Sequence, residues 1–111
     1  MKFALFSDIH ANLEALEKAC SHASGLGISK FYVLGDTVGY GANPNECFEW
    51  ALARGSAVLM GNHEKALTDI RLRTIFNSAA AAAIACFRAS DTPLTVLRST
   101  NIVRISFRLI C

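Results

Sequence analysis

The chain has little that would place it in a specialised class. Its net charge is only +2 over 111 residues. Proteins that grip nucleic acid or an anionic membrane need a concentrated excess of positive charge, so neither partner is signalled. Arg88, Arg98, Arg104 and Arg108 gather late in the chain, a mild skew that reads as a solvated face. No apolar run approaches bilayer-spanning length. Met1-Lys2 precedes only four apolar residues before Ser7-Asp8, too few for a signal-peptide core. The four cysteines, Cys20, Cys47, Cys86 and Cys111, form no C-x-x-C pair. That speaks against a zinc site and a disulfide frame, and favours buried free thiols in a reducing compartment. The expected location is the cytoplasm. There is no internal repeat and no interdomain linker. With 52% apolar residues the chain can build a core, and its length allows a single domain over residues 1–111.

Three short apolar runs organise what is present. Residues 3–6 lead into Ser7-Asp8-Ile9-His10. Residues 31–34 lead into Gly35-Asp36-Thr37. Residues 57–60 lead into Gly61-Asn62-His63-Glu64. Strands are expected over residues 2–7, 30–34 and 56–60. The first lacks alternation, as in strands covered on both faces. Between the first two, Leu13, Leu16, Cys20 and Ala23 fall at helical spacing, with Asn12 as cap and Gly25 and Gly27 as stop and turn. Between the second and third, Asn43-Pro44-Asn45-Glu46 predicts a helix start with an asparagine cap and a capping box, and Gly55 ends that helix. The order β-α-β-α-β with short connections implies an α/β fold with a mainly parallel sheet built of βαβ units. Ligands in such sheets bind beyond the carboxyl ends of the strands, where all three motifs lie.

Beyond the third strand, residues 64–72 are expected to be irregularly helical. Asn77-Ser78 opens an alanine-rich helix through Phe87. Thr92-Pro93 predicts a short helix to Leu97. Residues 102–110 alternate Val103, Ile105, Phe107 and Leu109 with Arg104, Ser106 and Arg108, a half-buried strand whose open edge invites self-association.

Each motif has a plain account and a chemical one. Asp8 and His10, two apart at a strand end, share a side of the chain if the extended form persists, and could then grip one borderline cation. Otherwise Asp8 begins a turn and His10 is a loop residue. Asp36 is either a turn former or a carboxylate placed between two metals. Asn62 caps a helix or ligates through its oxygen. His63 is a surface histidine or a proton donor to a leaving oxygen. Glu64 reads most simply as a first-turn acid that favours the helix dipole. Tyr40 contacts substrate or packs on its loop, and packing is the favoured reading.

The conjunction is more specific than any member. D-x-H, G-D and G-N-H-E occur in this order, each after a strand. The chain resembles the calcineurin-like metallophosphoesterase superfamily, in particular its compact prokaryotic phosphodiesterase-like members. Ser7-Asp8-Ile9-His10-Ala11-Asn12, Leu34-Gly35-Asp36-Thr37-Val38-Gly39-Tyr40-Gly41 and Gly61-Asn62-His63-Glu64 carry the resemblance, which runs from Met1 to about Ala85. It implies that the chain is part of one metallophosphoesterase domain, the first half of an α/β/β/α sandwich. It also implies a two-metal site: Asp8 and His10 on the first ion, Asp36 bridging, Asn62 on the second. A metal-bound hydroxide would attack phosphorus and His63 would protonate the leaving group. Mixed nitrogen and oxygen donors suit Mn²⁺, Fe, Co or Zn²⁺ better than Mg²⁺ or Ca²⁺. The implied substrate is a phosphodiester or another nucleotide-like small phosphoester.

The match has gaps. The family carries further metal-binding histidines after later strands, whereas this chain has only His10, His22 and His63. His22 lies on a polar helix face and is expected to be solvated. A truncated reading of a longer enzyme, or a shifted frame in the tail, would account for this. The protein phosphatase branch has aspartate and arginine where Gly39 and Tyr40 stand, which argues against a protein phosphatase. Two alternatives stay open: a catalytically incomplete fragment that holds at most one metal weakly, and a non-catalytic α/β binding module.

Overall fold

A computed structural model describes residues 1–89. The helix and strand expected over residues 92–97 and 102–110, and Cys111, lie outside them. Three parallel strands form one sheet in the order β1-β2-β3: β1 is Ala4–Phe6, β2 is Phe31–Val33 and β3 is Gly55–Val58. Each is shorter than its apolar run predicts. Leu5 pairs with Tyr32, and Tyr32 with Ala57.

Helix α1, Leu13–Gly25, connects β1 to β2, and α2, Pro44–Arg54, connects β2 to β3. Asn12 caps α1 as expected, its side chain accepting from the Ala15 N–H at 3.0 Å. The corresponding expectation for α2 holds in position, with Asn43 at the N-cap, but not in bonding. Pro44 opens the helix, but Asn43 makes no side-chain cap bond. Its backbone is engaged instead, its N–H donating to the Ala11 carbonyl at 3.1 Å. The residue is thereby recruited to join two loops. Leu16, Val33, Cys47, Ala51 and Ile9 form one core cluster, with Phe6, Leu13, Cys20, Trp50 and Val58 against it. Burial pushes the Cys47 thiol up to about 11, helped by nearby Glu46, Glu14 and Glu17. Cys20, Cys47 and Cys86 are free, though Cys86 is exposed rather than buried. His22 is exposed, as its position on α1 predicts.

The expected cover on both faces of β1 is met on one face only among the described residues. Leu5 is 58% and Phe3 49% exposed, so among the described residues this side of the strand is uncovered. An unalternating apolar run predicts a strand covered on both faces. In fact Phe6 joins the helix-covered cluster while Leu5, its neighbour, points away from it.

After β3 the chain forms α3, Asn62–Thr68, then a 3-10 segment, Ile70–Ile75, and α4, Ser78–Ala89. The irregularity expected after residue 64 is this 3-10 turn, entered through Asp69, whose carboxylate accepts from the Arg71 N–H. Asn77 caps α4 by accepting from the Ala80 N–H at 2.9 Å. Val38, Phe48, Ala66, Leu67, Ile84 and Phe87 make a second core cluster, which fastens α3 and α4 to the loop after β2. No helix among the described residues is long and apolar enough to cross a membrane.

Ile84 is fully buried in that second cluster. Ile84→Ala should lower unfolding free energy by about 2–5 kcal/mol, read from the urea midpoint at unchanged slope.

Candidate active site

The loops that leave β1 and β2 are zipped together by their backbones. Asp8 N–H donates to the Gly35 carbonyl at 3.2 Å, His10 N–H to the Asp36 carbonyl at 2.9 Å, and Ala11 N–H to the Thr37 carbonyl at 2.8 Å. The pairing needs unusual dihedrals. Asp8, His10, Ala11, Asp36 and Tyr40 all have positive φ, between 49° and 58°. A left-handed backbone costs a non-glycine residue about 1–2 kcal/mol, and such strain collects at functional sites. It also corrects the geometry expected for Asp8 and His10. Neither is extended, so strand alternation does not bring them together; a left-handed turn does.

The His10 Nε2 lies 3.5 Å from Asp8 Oδ1, and Asp8 accepts from the Ser7 hydroxyl. On its other side His10 Nδ1 lies 3.2 Å from the Val38 carbonyl. A carbonyl only accepts, so in the neutral ring Nδ1 carries the proton and Nε2 a lone pair. Two electron-pair donors then face each other, an arrangement that a shared cation reconciles. A backbone carbonyl behind the ring is also the usual device for orienting a metal-binding histidine. Asp8 and His10 therefore fit a cation in donor chemistry. Yet among the described residues no three His, Cys, Asp or Glu side chains converge on one point.

Asp36 is held by the start of α3. Its Oδ1 accepts from the His63 N–H at 2.9 Å. The Asn62 amide turns its nitrogen to the same carboxylate, 3.0 Å from Oδ2 and 3.1 Å from Oδ1, the orientation that sets donor against acceptor. Asn62 does not cap α3; Gly61 holds that position. A Cβ at Gly61 would collide with the Asp36 carboxylate.

Glu64 lies in the first turn of α3 as expected, but its role is wider. It is only 2% exposed. Its Oε2 accepts from Asp36 N–H and Gly61 N–H, both at 2.8 Å. Its Oε1 accepts from Thr37 N–H at 2.7 Å and Val38 N–H at 3.1 Å. One carboxylate thus ties the loop after β2 to the loop after β3. The sequence held a partial signal: Glu64 is the third residue of α3, where a glutamate reaches back to the N-cap N–H. The three bonds across to residues 36–38 had none.

His63 is 4% exposed and wedged between rings, its centroid 4.7 Å from His10, 4.7 Å from Phe76 and 5.2 Å from Tyr40. Burial holds its pKa below the usual histidine range, and the neighbouring His10 adds to this against the opposing pull of Asp36, Glu64 and Asp8. Its Nδ1 is buried without a hydrogen-bond partner. Gly39, at φ 98°, backs directly onto that nitrogen, and a Cβ there would collide with it. In this conformation position 39 has no room for a side chain. Tyr40 packs as expected, 5.0 Å from the His10 ring, but remains 50% exposed. Beside it Asp8, His10, Asn12, Glu14 and Asn43 line an open groove of about 640 Å³.

The sequence profile of the calcineurin-like phosphoesterase family matches residues 1–103. An uncharacterised protein of Methanocaldococcus jannaschii is 43% identical over 81 residues, 73% of this chain and 33% of the relative. The crystal structure of a metallophosphoesterase from Sphaerobacter thermophilus matches with a TM-score of 0.65 and 30% identity, over 89% of this chain and 39% of that one. The chain spans about a third of the length of the curated relative it matches.

Two outcomes test the site's internal structure. Glu64→Gln places an amide against N–H donors and should cost about 3 kcal/mol in urea unfolding. The second concerns pH. The folded pKa of His63 lies below its unfolded value of about 6.5. Protons therefore bind the unfolded chain preferentially below that pH, and stability falls as pH drops from about 6.5 through the folded pKa. Unfolding midpoints at pH 7.5 and 5.5 should differ more in the wild-type chain than in His63→Phe.

Proposed function

This chain belongs to the calcineurin-like phosphoesterase family, and from that premise we propose that it serves metal-dependent hydrolysis of a phosphodiester or another nucleotide-like small phosphoester. The observation that carries the reading is the zipped pair of loops with α3 against them. Through it the strand-end residues Asp8, His10, Asp36, Asn62 and His63 share one end of the sheet.

In this reading Asp8 and His10 would hold one divalent ion, Asn62 would serve a second through its amide oxygen, and Asp36 would be available to both. Their mixed donors favour Mn²⁺, Fe, Co or Zn²⁺. Bound there, such ions supply Lewis acidity that lowers the pKa of water and offsets charge on the phosphoryl oxygens. The chain's own residues do the rest. The Val38 carbonyl orients His10, and the His63 N–H orients Asp36. His63, when protonated, gives a ring proton to the leaving oxygen and is left as neutral imidazole, a transfer that the burial lowering its pKa favours. A cytoplasmic setting belongs to the same reading, supported by the free thiols of Cys20, Cys47 and Cys86.

A second reading also has an observation behind it. The donors do not converge in threes among the described residues, which favours a chain that holds at most one metal weakly. The test is Mn²⁺-dependent hydrolysis of an aryl phosphodiester by the 111-residue chain, with metal stoichiometry measured alongside. Hydrolysis with two ions per chain, falling at least a hundredfold in Asp36→Asn, supports the first reading. At most one weakly held ion, and no turnover above Asp36→Asn in a folded chain, supports the second.

A further inference from the structure

Tyr40 is placed at a cost and left half in solvent. Its φ of 58° puts a bulky side chain in the left-handed region, directly after Gly39 at 98°. Glycine would occupy position 40 without that strain. An aromatic ring that served packing alone would be expected to bury its area, yet half of this residue stays exposed. Strain of this kind at a site edge calls for a functional account.

The ring is also fixed. It meets His10 edge to face at 5.0 Å and 87°, and lies 5.2 Å from His63. Its hydroxyl accepts from the Asn77 side-chain nitrogen at 3.3 Å. The same Asn77 caps α4 through its oxygen. The latch therefore runs from the groove to a helix packed in the second core cluster. A ring immobilised before binding loses little freedom when a ligand settles on it. Its groove is otherwise lined by polar groups and small residues, with Ile9 buried beneath them. Tyr40 supplies the broad apolar face next to the Asp8 and His10 donors.

We propose that Tyr40 is a specificity-determining residue: its exposed face receives a planar aromatic substituent, aryl or nucleobase, of a phosphoester whose phosphate lies toward Asp8 and His10. The inference rests on the phosphoesterase reading and adds the class of ester group that the site prefers. Stacking on one tyrosine face is worth roughly a tenfold gain in affinity.

The experiment titrates the 111-residue chain in Mn²⁺ with inorganic phosphate, ethyl phosphate and phenyl phosphate by calorimetry. Nuclear Overhauser contacts between phenyl protons and the Tyr40 ring are recorded in the wild-type chain. The expected result is phenyl phosphate bound about tenfold more tightly than ethyl phosphate, with contacts to Tyr40. That ratio is kept in Tyr40→Phe and falls toward one in Tyr40→Leu. Should Tyr40→Leu not fold, the wild-type contacts and the phenyl-to-ethyl ratio decide alone. Binding of inorganic phosphate with no phenyl preference, or with phenyl contacts only to other residues, overturns the inference and leaves the phosphoesterase reading standing. Binding of none of the three removes both.

Discussion

Four backbone N–H groups converge on one buried carboxylate, and the rest of the site depends on that convergence. The loop after β2 turns through left-handed conformations and cannot pair its N–H groups with a neighbouring strand. Buried and unpaired, each would carry the cost of a lost hydrogen bond. Glu64 takes three of them, at residues 36, 37 and 38, and the N–H of Gly61 as well. A charged acceptor suits this work, since bonds to ionised groups are shorter and stronger than neutral ones. Its position in the first turn of α3 adds the favourable pole of that helix. With the loop so held, the Asp36 carboxylate meets the Asn62 and His63 nitrogens, and Val38 turns its carbonyl to His10.

The cores on either side of this knot make it rigid. One cluster binds α1 and α2 to the sheet, and the other binds α3 and α4 to Val38 and Phe48. His63 sits where ring packing and site chemistry overlap. The same burial that seats it among His10, Tyr40 and Phe76 disfavours its charged form. Gly39 belongs to this packing too, because any side chain there would displace the imidazole. In this loop conformation an aspartate at position 39 would collide with that ring. On the sheet's other side Phe3 and Leu5 stand exposed, an apolar surface that the described residues leave uncovered.

Much of the architecture was legible in local signals. Turn glycines, the Asn12 cap and the apolar runs set out β-α-β-α-β, and parallel pairing followed from short connections that contain helices. Where these signals misled, a longer-range interaction had won. Asn43 looks like a cap, but its backbone N–H donates to Ala11 and its side chain does not cap. Asp8 and His10 look like neighbours on a strand, but pairing with the β2 loop draws both into left-handed turns. The β1 run looks buried on both faces, because apolar residues report hydrophobicity and not which partners are present to cover them.

By itself the sequence determined the order of elements, the three strand-end motifs and the family they resemble, since each of these is carried by residues close together in the chain. Only the tertiary structure decided how the motifs meet. The bonds from Glu64 to residues 36–38, the His10 ring set against the Val38 carbonyl, and the ring of Tyr40 latched to Asn77 each join groups 26 to 37 residues apart. No local pattern encodes such contacts, because they arise from parallel strands bringing their carboxyl ends together and from the packing that closes around them.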